Sequence, residues 1–172
     1  MTEENLKNDL PACAVLAAAI RSEIEAADVY SKLHERVKNT LLKEKLKFLI
    51  SEEKKHRKIL ERLYSQRYAD QKLEIPEKSG LPPVKVKMDE KSSVLELFNV
   101  ALETEKSSEG FYRKGSESAK EENTRRILRY LSRVERTHFF MIKSEIDLLE
   151  RFPEYYDVED FHFGSDMVHM GP

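Results

Sequence analysis

Glycine and proline are placed so unevenly along this chain that their positions restrict its fold more than any motif does. No glycine precedes Gly80, and no proline falls between Pro11 and Pro76 or between Pro83 and Pro153. Proline interrupts a helix by removing a backbone donor and clashing with the preceding turn; glycine weakens it through backbone entropy. Two long helix-permissive blocks therefore flank one broken stretch holding Pro76, Gly80, Pro82 and Pro83. A sandwich, a barrel or a doubly wound sheet needs turn residues at far shorter intervals. With 36% of its 172 residues charged, the chain has the composition of long solvated helices, and the length suits a single domain, 1–172, with a real core.

A period of about 100° per residue divides the blocks into four amphipathic helices, at about residues 10–38, 40–69, 92–120 and 122–151. Ser93-Val94-Leu95-Glu96 has the form of a capping box opening the third. Residues 70–91 are then a crossover and 152–172 an irregular, aromatic C-terminal tail. Helices of about 29 residues span roughly 43 Å, and a crossover of about 22 residues reaches roughly 70 Å when extended. A short turn, a long crossover between the second and third helices and another short turn make up the connectivity of a ferritin-like bundle. The expected fold is all-α, a ferritin-like four-helix bundle.

The net charge of −2 provides no bulk attraction to nucleic acid or to an anionic membrane. No apolar run approaches the length of a spanning helix. The apolar stretch from Ala12 to Ile20 follows an acidic, Asn-rich start rather than the basic start of a signal peptide. Cys13 is the single cysteine, which excludes a disulfide framework and a zinc ribbon and makes the reducing cytoplasm the expected location. Near the start of an apolar helix, it reads as a small core residue.

The two blocks repeat one another at an offset of 82 residues, without gaps. Ala19 meets Ala101, Glu23 meets Glu105, Tyr30 meets Tyr112, Glu53 meets Glu135 and His56 meets His138. Shared helical propensity accounts for matched Ala, Leu and Lys, but not for Glu, Tyr, Glu and His in one register. The chain reads as a duplicated helical hairpin.

The repeated residues carry the chemistry. With Glu53 at 0°, Leu42, Leu46, Leu49 and Leu60 fall within about 40° of it on the second helix; Leu128, Leu131, Ile142 and Leu149 do the same for Glu135 on the fourth. His56 and His138, three residues on, share those faces. Glu23 lies among Leu16, Ala19, Ala26 and Tyr30, and Glu105 among Phe98, Ala101 and Tyr112. Four ionised carboxylates on core faces, with no Lys or Arg beside them, would each cost several kcal/mol if unpaired. Two divalent cations balance the four charges, and two imidazoles complete a di-iron or di-manganese ligand set of one Glu from each of two helices and Glu-x-x-His from the other two. A single Glu-x-x-His is common on solvated helices; two in register with two core glutamates are not. The repeat also selects Glu53 over Glu52 and Glu105 over Glu103.

Glu23-x-x-Ala26-x-x-Val29-Tyr30 with Glu53-x-x-His56, then Glu105-x-x-Ser108-x-x-Phe111-Tyr112 with Glu135-x-x-His138, resembles the rubrerythrin family over the four helices. The resemblance implies a non-haem di-iron oxidoreductase that reduces hydrogen peroxide, or alternatively O2, in oxidative-stress defence, with Mn or Zn as substitute metals. It implies Glu23, Glu53, Glu105 and Glu135 as carboxylate ligands, Glu53 and Glu135 bridging, and one iron on each of His56 and His138. Tyr30 and Tyr112 would hydrogen-bond ligand carboxylates, or else simply pack in the core. Iron oxidation and storage, as in bacterioferritin, and O2-activating hydroxylation are the competing functions. A homodimer or larger homo-oligomer is expected.

Two departures stand out. Rubrerythrins of the full type also carry a rubredoxin-like domain with iron on four cysteines, which one cysteine cannot build. Electrons are then expected from a separate donor such as a rubredoxin-like protein. Peroxide-active members also have a further carboxylate three residues after the first ligand of the third helix, where this chain has Ser108. Glu109 follows about 40° from Glu105, beside Gly110, which could mark a helix irregularity; whether Glu109 joins the site stays open.

Elsewhere, Arg125, Arg129, Arg133 and Arg136 form a basic stripe on the outer face of the fourth helix, either a solvated face or a docking patch for an acidic carrier. His34 shares the face of Glu23 about 16 Å away, too far to join it as a ligand. His162 and His169 lie in the tail, where Tyr155, Tyr156, Phe161 and Phe163 are expected to cover a bundle surface.

Overall fold

The computed structural model describes residues 12–79 and 92–152, together with Glu154. They form four helices: α1 Ala12–Arg36, α2 Thr40–Arg67, α3 Val94–Ser118 and α4 Glu122–Arg151. Strands are absent among the described residues, and the fold is an all-α four-helix bundle. Each end lies within about two residues of its expected position. The capping box forms as expected: Glu96 N–H donates to Ser93 Oγ at 3.1 Å and Ser93 N–H to Glu96 Oε2 at 2.6 Å. Asn39 caps α2 by accepting from the Leu42 N–H at 3.0 Å. The anticipated irregularity at Gly110 is not found, and α3 continues through it as ordinary α-helix. Of the tail, Pro153 and residues 155–172, with His162, His169 and the four aromatics, lie outside the described residues.

Three-residue turns join α1 to α2 and α3 to α4, making each half an antiparallel hairpin. Contacts at matching levels give the directions between halves. On α2 and α4, Lys45 pairs with Glu145 at one end and Arg67 donates to Thr124 at the other, so these helices are antiparallel. On α1 and α3, Ser22 meets Ser108 and Arg36 donates to the Ser92 carbonyl, again antiparallel. It follows that α2 and α3 run in the same direction. The chain between Arg67 and Val94 must therefore travel the length of the bundle, which is why it is long. Ser79 anchors that crossing on α1, where its N–H and hydroxyl donate to the Glu25 carboxylate at 3.2 and 2.7 Å.

The apolar stripes bury two clusters. One gathers Val29, Leu33, Leu42, Leu46, Leu49, Phe98 and Ile142; the other gathers Leu16, Ile20, Leu60, Leu63, Tyr64 and Leu131. A fully buried leucine or isoleucine contributes about 1.5–3 kcal/mol, so both clusters hold the helices together. On every helix the segment between the two clusters carries the polar residues singled out above. Cys13 is only half-buried, against the second cluster, rather than a core residue.

Candidate metal centre

Glu23 from α1, Glu53 and His56 from α2, Glu105 from α3, and Glu135 and His138 from α4 converge midway along the bundle, each at most 2% exposed. His56 Nδ1 lies 3.3 Å from Glu23 Oε2, 3.2 Å from Glu53 Oε2 and 3.1 Å from Glu135 Oε1. His138 Nδ1 lies 3.0 Å from Glu53 Oε1 and 3.6 Å from Glu105 Oε2. The two imidazoles stack with centroids 5.5 Å apart. Glu52 and Glu103, the rejected neighbours, point outward to Lys55 and Lys106.

Among the described residues, no Lys or Arg pairs with these four carboxylates; their only cationic neighbours are the two histidines. Without a metal, protons do the neutralising. Burial raises Glu23 to about 8 against the hydrogen bond from His56, and the Glu53 charge adds to the rise. Burial and the charges of Glu105, Glu23 and Glu53 push Glu135 well above the usual carboxylate range. Burial also pushes Glu53 upward, but hydrogen bonds from His138, His56 and Glu23 outweigh it and hold Glu53 at about 2. For the histidines burial works toward the neutral form. Hydrogen bonds to Glu105 and Glu53 nevertheless raise His138 to about 9, and those to Glu135, Glu23 and Glu53 raise His56 further.

These protons leave the site incompletely satisfied. Each of the six residues keeps one buried atom that no neighbour meets with good hydrogen-bond alignment, even where a charged group lies close: Glu23 Oε2, Glu53 Oε1, Glu105 Oε2, Glu135 Oε1, His56 Nε2 and His138 Nδ1. Buried polar groups are nearly always paired, so six such atoms in one place are a donor set suited to a cation. Two quartets can each offer ligand atoms within 4.8 Å of one another: Glu23, Glu53, His56 and Glu135, and Glu53, Glu105, Glu135 and His138. Glu53 and Glu135 belong to both. The donor set of carboxylate oxygens and imidazole nitrogens suits iron, manganese or zinc.

The tyrosines bind across the repeat. The Tyr30 hydroxyl donates to Glu105 Oε1 and the Tyr112 hydroxyl to Glu23 Oε1, all four groups being buried. Burial and the charge of the partner carboxylate raise both phenols well above 10, so they stay protonated donors. Ser108 is buried beside Ser22 of α1, with the hydroxyls 3.3 Å apart, a link that no sequence signal announced. Glu109 is in neither quartet; it lines a groove with the α4 arginines instead. His34 has a buried, unpartnered Nε2 but is likewise outside both quartets.

The rubrerythrin family model matches residues 14–146. This chain belongs to the rubrerythrin family. A solved structure, the hypothetical protein Pfu-1136390-001 from Pyrococcus furiosus, is similar at 34% identity with a TM-score of 0.74, over 84% of this chain and 94% of that one. No curated protein matches the chain at a significant level. Among the described residues, no helix of this rubrerythrin-family chain is long and apolar enough to cross a membrane.

Proposed function

We propose that this chain holds two iron ions and reduces hydrogen peroxide to water with electrons from a separate donor, as an oxidative-stress defence in the reducing cytoplasm. The observation that carries this reading is the sharing of Glu53 and Glu135 by both quartets, which suits two metals bridged by carboxylates. Glu23 and His56 would complete one ion, Glu105 and His138 the other. When bound, the iron pair supplies two electrons by passing from ferrous to ferric, so that peroxide and two protons become two waters.

The remaining work belongs to the chain. Four carboxylates match the charge of two divalent ions, to which Glu23, Glu135, His56 and His138 would offer the atoms that their surroundings otherwise keep protonated. Tyr30 and Tyr112 hold one oxygen of Glu105 and of Glu23 in place, leaving the other oxygen of each free to coordinate. The apolar clusters above and below keep bulk water from the site. The 172 residues contain one cysteine, half-buried and free, so they build no four-cysteine iron site of their own, which supports assigning the electrons to a separate donor.

Anaerobic reconstitution with Fe(II) followed by stopped-flow mixing tests the reading. Two irons per chain, oxidised much faster by hydrogen peroxide than by O2, are expected. Rapid oxidation by O2 with accumulation of ferric mineral would favour iron storage instead, and less than one iron per chain would rule out the dimetal centre.

A further inference from the structure

The outer face of α4 turns away from the metal centre and is rich in arginine. Arg129, Arg133 and Arg136 are exposed there and, with Arg113 of α3, line a groove of about 320 Å3 between the two helices. Arg113 pairs with Glu117 at 3.4 Å. Arg136 lies 5.9 Å over the ring of Phe140, which is itself 54% exposed. Among the described residues, Arg129 and Arg133 have no carboxylate partner. The acidic groups in the groove are Glu109 and Glu117, so cations outnumber anions.

The groove floor is close to the centre. Ser132 Oγ donates to the Glu109 carbonyl at 3.2 Å, linking α4 to α3. Ser132 stands three residues before Glu135, and Glu109 four after Glu105. The floor is therefore one helical turn, about 5 Å of axial rise, from two carboxylates of the metal centre.

We propose that this groove docks an acidic one-electron carrier protein, whose surface carboxylates pair with Arg129 and Arg133 and whose redox group is held against the α3–α4 side of the centre. The inference rests on the dimetal redox reading above. In the step it serves, one electron leaves the carrier and arrives at the centre, and no bond forms or breaks. A second cationic groove lies between α2 and α4, where Lys55, Lys58 and Arg62 surround Ile59, Leu63 and Ile127. Interfaces are enriched in arginine and aromatic side chains and depleted in lysine, which favours the groove lined by Arg129, Arg133 and Arg136, with the exposed Phe140 ring beneath Arg136 next to it.

The test titrates a rubredoxin, as an acidic iron–sulfur probe, into the chain at low ionic strength and reads the dissociation constant from NMR shifts. It compares wild type with R129E/R133E, the milder R129Q/R133Q, and the control K58E/R62E of equal charge change to the first. Wild-type binding should weaken as salt rises. R129E/R133E should weaken binding by about tenfold or more, R129Q/R133Q by less, and K58E/R62E by under about threefold. Equal losses in R129E/R133E and the control, or wild-type affinity in R129E/R133E, would overturn the proposal. So would a change of oligomeric state in R129E/R133E on size-exclusion chromatography, which would give this face to a second copy of the chain. Circular dichroism checks helicity, and iron content is measured separately: its absence from wild type counts against the redox reading, not against docking.

Discussion

Tyr30, in the first hairpin, donates its hydroxyl to Glu105, in the second, and the repeat supplies the reciprocal bond from Tyr112 to Glu23. Because α1 and α3 are antiparallel, the tyrosine seven residues beyond each glutamate lies level with the glutamate of the opposite helix. Each half of the chain thus orients a carboxylate of the other. Tyr30→Phe and Tyr112→Phe should each destabilise the folded protein by about 1–3 kcal/mol, since a buried carboxylate oxygen loses its donor. Denaturant unfolding measures this. A large loss in one variant and none in the other would show that the two bonds are not equivalent.

The two kinds of carboxylate should differ in how much metal they hold. Glu53→Ala and Glu135→Ala each remove a member of both quartets, whereas Glu23→Ala and Glu105→Ala each affect one. Elemental analysis after anaerobic reconstitution should find both metals lost in the first pair and one retained in the second. Equal stoichiometry in all four variants would contradict a bridged arrangement.

Stability of the metal-free protein should fall as pH rises. Glu23 at about 8 and His138 at about 9 both lie above their ordinary values of 4.5 and 6.5, so the folded chain retains protons that the unfolded chain has released. Their contributions are complete below about 4.5 and 6.5 and are lost as pH passes through about 8 and 9. Glu53, held at about 2, acts in the opposite sense, but its contribution is lost only in acid, as pH falls below 4.5 toward 2. Melting temperatures without metal should therefore drop between pH 5 and pH 9. With Fe(II) or Zn(II) bound, the trend should reverse, because metal and protons compete for the same atoms. A flat or rising metal-free curve would refute this.

Gly110 and Gly115 sit in the same helix but differ in their surroundings. A Cβ on Gly110 would meet nothing within 4 Å, while one on Gly115 would come within 3.2 Å of Leu128 Cδ1. Gly110→Ala should stabilise the protein by about 0.5–1 kcal/mol through helix propensity. Gly115→Ala should gain less, as Leu128 must give way. Thermal melts of the two variants should rank them in that order.

The bundle and the converging glutamates were legible because both depend on pattern. Breaker spacing separated the hairpins, and the repeat told Glu53 from Glu52 where helical angle alone is coarse. The bond between Ser22 and Ser108 was not legible, because Ala26 and Thr104 stand where a symmetric partner would be. Nor was the crossing of the tyrosine bonds, which requires knowing that α1 and α3 are antiparallel. Buried Glu145, neutralised by Lys45 of α2, was missed because its partner lies 100 residues away. Glu109 shows the limit of angular reasoning: 40° from Glu105 on a helical wheel, it nevertheless falls on the groove side of the α3–α4 contact.

Reciprocal bonding between the halves has an ancestral consequence. Neither hairpin contains a full quartet, so a primitive chain of half this length would complete the centre only by pairing with a copy of itself about a two-fold axis. Fusing two such chains through the crossover makes that encounter intramolecular, free of dilution. It also lets the copies diverge: Ser108 stands where the first half has Ala26, and Arg129, Arg133 and Arg136 stand where it has Lys47, Ser51 and Lys54, differences that two identical chains could not carry.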